Sequence, residues 1–168
     1  MKCFYHSADL DGHCSGAIIK MVYPKCEMFG INYGEAFPWV EIEKGELVFM
    51  VDFSLQPFKP DMNRLDNICH LVWIDHHQTA ITEAGNEFWK IDGKKLKSGV
   101  GACQLVWKYL TQRIVPGLVS NGGKMPLFVK LLAEYDVWNH SDPRTLSFQY
   151  GMRQQKSTLP DKIGRAHV

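Results

Sequence analysis

No CxxC pair occurs in this chain, and its five cysteines (Cys3, Cys14, Cys26, Cys69 and Cys103) are odd in number and widely spaced. Structural zinc and a disulfide framework therefore lack their usual sequence basis. Small, buried, reduced thiols of a cytoplasmic protein are the expectation. There is no apolar run long enough to span a bilayer, and Met1-Lys2 leads directly into a strand pattern rather than a signal peptide. A dominant charge is missing too: 19 Lys and Arg face 18 Asp and Glu, a net charge of +1. No nucleic-acid-coating surface is advertised, although net charge leaves a local basic groove open. Internal repeats and low-complexity segments are absent as well. What is present, 45% hydrophobic and 22% charged residues over 168 positions, fits a folded domain with a real core.

The apolar pattern alternates between strand and helix periods. Strands are expected at Lys2–Tyr5, Glu27–Tyr33, Glu46–Val51 and His70–Ile74, with a fifth at Glu87–Ile91. Helices are expected at Cys14–Tyr23 and Pro57–Ile68. After Asp92-Gly93 the pattern turns helical, over Ser98–Gln112, Met125–Tyr135 and Thr145–Gln155. Buried apolar strands alternating with helices predict an α/β fold, a parallel sheet of about five strands flanked by helices and followed by a helical segment.

The informative residues stand at the ends of these strands. Asp75-His76-His77 follows Leu71-Val72-Trp73-Ile74; Asp52 follows Leu47–Val51; His6-Ser7-Ala8-Asp9-Leu10-Asp11-Gly12 follows the first strand. Three such ends suggest the rim of a parallel sheet carrying a metal site. Asp9 and Asp11 are one residue apart and repel each other unless a cation intervenes; a solvated turn with Asp11 as a helix N-cap is the plainer alternative. A carboxylate at Asp52, behind a fully apolar run, has to be paired, capping or metal-bound. Mixed Asp and His donors without thiolate suit Mn, Mg or Fe, and Asp75 is placed to orient a ligating histidine from behind. Asp136 ends the stripe Leu127–Tyr135 and reads, alone, as an exposed helix-end acid.

Other residues read more plainly. Trp73, Trp89, Trp107 and Trp138 sit in apolar patterns expected to be core, whereas Trp39 lies in a loop-like segment suited to a surface contact. His13 and His140 lie beside motifs as solvated loop histidines or substrate contacts. Arg144, Arg153 and Lys156 fit a charged helix face or phosphate contacts.

His6-x-x-Asp9-x-Asp11-Gly12, Val51-Asp52, Asp75-His76-His77 and Asp136 resemble, in order and spacing, the four motifs of the DHH phosphoesterase superfamily. That family includes RecJ-like exonucleases, nano-RNases, cyclic-dinucleotide phosphodiesterases and family II pyrophosphatases. The resemblance covers roughly Met1–Tyr150 and implies a parallel-sheet lobe with two divalent metal ions, usually Mn2+ with Mg2+ as the alternative. It places His6 and Asp9 on one metal and Asp11 on the other, with Asp52 bridging and His76 and Asp136 completing the second site. His77 would contact the scissile phosphate, supported by Asp75. His6 precedes Asp9 by three positions, where several relatives have four.

The implied activity is two-metal hydrolysis of phosphodiester bonds in short oligonucleotides or nucleotides. Pyrophosphate or polyphosphate hydrolysis is the rival within the same chemistry. A metal- or nucleic-acid-binding module without turnover, or a flavodoxin-like domain with coincidental residues, are the rivals outside it.

Family enzymes acting on nucleotides generally add a C-terminal domain with a glycine-rich, His-containing motif. Nothing after Tyr150 resembles it, and Asn121-Gly122-Gly123-Lys124 comes too early and lacks the histidine. Residues 1–155 are therefore expected to form the catalytic lobe, with the substrate-binding domain missing. Residues 156–168 would be the start of a linker ending in a non-native tail, because Ile163-Gly164-Arg165-Ala166-His167-Val168 resembles the conceptual translation of a common sequencing adapter; a natural polar tail is the plainer alternative.

Overall fold

The computed structural model describes residues 1–88, 95–113 and 124–154. Five parallel strands, β1 (Lys2–His6), β2 (Glu27–Ile31), β3 (Leu47–Val51), β4 (His70–Asp75) and β5 (Lys95–Leu96), form one sheet in the order β2-β1-β3-β4-β5. The helices are α1 (Leu10–Val22), α2 (Phe58–Ile68), α3 (Gln78–Phe88), α4 (Ala102–Arg113), α5 (Leu127–Asp136) and α6 (Thr145–Gln154). The expected parallel α/β arrangement is the one observed.

Side chains alternate across each strand, so successive residues feed opposite cores. Cys3, Tyr5, Phe49, Val51, Val72 and Ile74 enter the core on the side of α1, α4 and α5. Phe4, Val48, Met50, Leu71 and Trp73 enter the other, beneath α2 and α3. With both faces covered, the central strands must be apolar throughout, which is why they read as unbroken runs rather than alternating ones.

Three boundaries differ from expectation. The helix expected at Cys14 begins at Leu10, because the Asp9 side chain accepts the Gly12 N–H at 2.9 Å and caps it there. Glu87 and Phe88 finish α3 rather than opening a strand, and the rest of that expected strand lies outside the described residues. The fifth strand is instead the two-residue Lys95–Leu96, paired with Ile74 and Asp75. The tail and linker expectations, with Trp89 and Lys156, also fall outside the described residues.

This topology dictates where a ligand can sit. The chain passes from β1 to β2 on one side, then returns to β3 on the other, opening a crevice at the carboxyl ends of β1 and β3. His6, Asp52 and Asp75 stand at or just beyond the ends of β1, β3 and β4.

Candidate metal centre

Asp52 occupies the centre of this crevice. It is 1% exposed, and its backbone takes a left-handed φ of 56°, uncommon outside glycine but tolerated by aspartate. Two bonds hold that bend. The Asp52 N–H donates to the Ile74 carbonyl at 2.9 Å, and the Trp73 indole donates to the Phe53 carbonyl at 2.9 Å. Neither Asp52 carboxylate oxygen receives an aligned hydrogen bond, although both are buried. Burial therefore pushes its carboxyl pKa up, against the pull of His6 and His76.

Two groups converge on this carboxylate. On one side His6 Nδ1 lies 3.2 Å from Asp9 Oδ2 and 3.7 Å from Asp52 Oδ2. On the other, His76 Nε2 lies 3.1 Å from Asp52 Oδ1, 3.2 Å from Asp136 Oδ2 and 3.8 Å from Asp11 Oδ2. His6, Asp9 and Asp52 form one set of donors able to hold a metal ion, and Asp11, His76 and Asp136 form another. Asp52, His76 and His77 form a third set overlapping both, and within each set the donor atoms lie within 4.8 Å of one another. A buried carboxylate whose oxygens face two imidazoles without receiving an aligned hydrogen bond fits a cation far better than a dry protein interior.

Asp11 does two things at once. It is 2% exposed in the first turn of α1, and its oxygens accept the N–H groups of Ala102 at 2.6 Å and Cys103 at 2.9 Å. Those are free donors at the start of α4, so Asp11 stabilises a helix 91 residues away. Burial, with Asp52 adding to it, nevertheless holds the Asp11 carboxyl well above the usual range. Asp9, expected as a ligand only, also caps α1, and Asp11 is not the cap. Gly12 is required here, because a Cβ would collide with the His6 carbonyl.

Asp136 closes α5, and a carboxylate is unfavourable at a helix C-terminus. Burial and the facing Asp11 raise its carboxyl further. Its placement is set from behind. Glu134 accepts Ser141 Oγ at 2.6 Å, the Asp142 N–H at 3.1 Å and Thr145 Oγ1 at 2.9 Å, tying the turn after Asp136 to the start of α6. Just before α4, a Cβ on Gly101 would lie 2.6 Å from Ala133 Cα, so the glycine lets the C-terminal part of α5 pack closely against the start of α4.

His77 is oriented by Asp75. The buried Asp75 Oδ1 accepts the N–H groups of His76 at 2.7 Å and His77 at 3.2 Å, and His77 Nδ1 donates to it at 2.7 Å. This fixes His77 with Nε2 as its remaining nitrogen. The Asp75 bond raises the His77 pKa against the effect of burial. The structure thus brings together all eight residues singled out from the sequence: His6, Asp9, Asp11, Asp52, Asp75, His76, His77 and Asp136.

Several neighbouring expectations are corrected. Trp138 is 72% exposed rather than core: α5 stops at Asp136, and a φ of 55° at Trp138 turns the chain outward. Trp39 is half-buried, with the Arg64 guanidinium 3.9 Å from its ring centroid. His13 is no solvated loop residue: it lies buried in α1, its Nε2–H donating to the Ser7 carbonyl at 3.0 Å. Arg144 forks onto Asp142 through Nε at 2.9 Å and Nη2 at 2.8 Å. Sequence reasoning missed Tyr33, whose ring lies 5.5 Å from His6 and 6.3 Å from His77, centroid to centroid.

No family model matches the chain, and no curated protein matches it. Among solved structures, an uncharacterised protein from Helicobacter pylori G27 shares 19% identity and a TM-score of 0.62, over 83% of this chain and 44% of that one. This chain spans less than half the length of that protein, and at this identity the likeness is one of fold.

Proposed function

We propose that this chain is the catalytic lobe of a DHH-type phosphoesterase that hydrolyses phosphodiester bonds in short oligonucleotides or nucleotides. The observation that carries the reading is the convergence of four separated sequence motifs into overlapping donor sets around one buried, unsatisfied carboxylate, Asp52. His6 and Asp9 would hold one divalent ion, Asp11, His76 and Asp136 a second, and Asp52 both. The oxygen and imidazole donor set, free of thiolate, suits Mn2+ or Mg2+. Bound there, such ions supply positive charge to the phosphoryl oxygens and make a nucleophile accessible at neutral pH.

The protein's own residues do the positioning. Asp75 locks His77 so that its Nε2 is free, and a His77 side chain 33% exposed can reach a phosphoryl oxygen in the crevice. With its pKa raised by Asp75, His77 donates a charge-assisted hydrogen bond as negative charge develops on that oxygen.

Pyrophosphate or polyphosphate is the rival substrate within the same chemistry, and its higher charge calls for several lysines or arginines around the site.

The test is calorimetric titration of Mn2+ into metal-free protein, with Asp52→Asn alongside and dinucleotide hydrolysis measured on the loaded forms. Two ions per chain in the wild type, with binding and hydrolysis both lost in the variant, is the expected result. A folded wild type that takes up no ion would overturn the reading. A wild type that loads two ions but cleaves only pyrophosphate would move the substrate to the rival class.

A further inference from the structure

Among the described residues, Tyr33 is an exposed aromatic side chain in ring contact with the centre, and nothing in the chemistry above uses it. It is 44% exposed, two residues beyond the end of β2. Its ring meets His6 edge-on at 5.5 Å and His77 edge-on at 6.3 Å, and packs on the buried Phe53 at 4.7 Å. His77 is itself partly exposed, so the open surface of Tyr33 adjoins that of His77.

The loop that carries Tyr33 is built to hold it still. Asn32 donates to Glu35 twice, from its backbone N–H at 3.0 Å and its Nδ2 at 3.2 Å, and Glu35 returns a bond to the Asn32 carbonyl at 3.1 Å. Ser7 reaches across from the first motif, donating its hydroxyl to Asn32 Oδ1 at 3.1 Å and its N–H to Ile31 at 3.1 Å. Gly34, at a φ of 90°, lets the chain reverse immediately after the ring. A tyrosine held on a buried phenylalanine, in a loop hydrogen-bonded to a metal-ligand motif, is preorganised for contact rather than left over from the core.

We propose that Tyr33 is the platform on which a base of the substrate stacks. The inference rests on the phosphodiesterase reading and deepens it to a nucleobase-bearing substrate. The sheet order supports the direction: the metal donors lie at the ends of β1, β3 and β4, and Tyr33 follows β2, on the outer side of β1. A phosphate at the centre leaves its attached nucleoside to extend along the sheet edge towards β2, where Tyr33 waits. Aromatic stacking tolerates any base, because every base has a π-face. The contact therefore selects nucleotides over inorganic phosphates without reading sequence.

The experiment measures binding rather than turnover. Manganese-loaded protein is titrated with an adenosine dinucleotide carrying a non-hydrolysable phosphorothioate linkage, with the abasic dinucleotide of the same backbone, and with inorganic phosphate. Wild type is expected to bind the base-bearing ligand about 10–100-fold more tightly than the abasic one. Tyr33→Leu, which keeps apolar cover over Phe53, should abolish that preference while phosphate affinity stays unchanged. Tyr33→Phe should keep it.

Preference for the base that survives in Tyr33→Leu would overturn the assignment. So would a wild type that binds phosphate and manganese but treats both dinucleotides alike; that result leaves the metal centre standing and removes only the platform. Absence of manganese binding would fell the functional reading and the platform with it.

Discussion

Loading the centre with a divalent cation expels protons, and their number follows from its electrostatics. His6 is raised from 6.5 to about 10, chiefly because Asp52 faces it, with Asp9 adding to the effect and burial opposing it. For His76 burial pulls the other way, yet Asp52, Asp11 and Asp136 together lift it to about 9. At pH 8 both imidazoles carry a proton, and a ligating imidazole must be neutral. Metal uptake at that pH therefore releases about two protons per chain, and more towards pH 6, where the raised carboxyls of Asp11 and Asp136 contribute. Titrating MnCl2 into metal-free protein in buffers of different ionisation enthalpy counts them, as the slope of apparent against buffer enthalpy. A slope near zero at pH 8 would refute the account, because the imidazoles would then already be neutral. Stability follows the same protons. The folded pKa values lie above the unfolded value of 6.5, so this contribution is complete below about pH 6.5 and is lost as pH rises through 9 and 10. Metal-free protein should accordingly lose roughly 3 kcal/mol per pH unit between about pH 7.5 and 9, read as a falling Tm.

Asp136→Asn should stabilise the metal-free fold by about 1–3 kcal/mol at pH 8, since it removes a carboxylate that burial and Asp11 disfavour, while the second ion is lost. Denaturant melts paired with manganese titration test both halves; a destabilised variant would contradict the electrostatics. Glu134→Ala should cost about 1–3 kcal/mol, because it strands the hydroxyls of Ser141 and Thr145 and the Asp142 N–H. Glu134→Gln, which still offers one acceptor, should recover part of the stability, and manganese affinity should rank wild type, Gln, Ala if the network positions Asp136.

Much of this was legible in the sequence because period and chemistry change at the same places. Leu47–Val51 and Leu71–Ile74 are apolar throughout because both sheet faces are covered, and a lone Asp or Asp-His-His after such a run has to sit at the sheet's edge. What was missed has more than one cause. The bond of Asp11 to the start of α4 spans 91 residues, and no local pattern announces it. Trp138 continues the apolar stripe of α5 in the sequence, but the left-handed backbone at that residue turns it to solvent. Tyr33 carries no periodic signal at all, since its contacts are with rings supplied by β1 and by the segments after β3 and β4. The helix α3 is hidden for a weaker reason: among its residues whose burial is described, the apolar side chains packed inward are Ala80, Ile81 and Ala84, too few to stand out.

The arrangement is poorly explained as a device for stability. It concentrates five carboxylates, three of them nearly inaccessible, at one edge of a sheet, and bends the backbone of Asp52 into a left-handed conformation there. Each step costs free energy in the metal-free protein: burial of Asp11 and Asp52, repulsion between Asp11 and Asp136, and an acid at the wrong end of α5. Protons on His6 and His76 offset part of that cost, standing where cations would stand. A flavodoxin-like sheet needs none of this to fold, since its strand order is satisfied by the apolar runs alone. Coincidental placement would scatter the acids over the rim; here each acid lies within ion-pair distance of a histidine, and the donor sets are linked through two shared residues, Asp52 and His76. The strain and the charge are thus concentrated on one small group of side chains, the pattern expected where a local conformation serves a site rather than the fold.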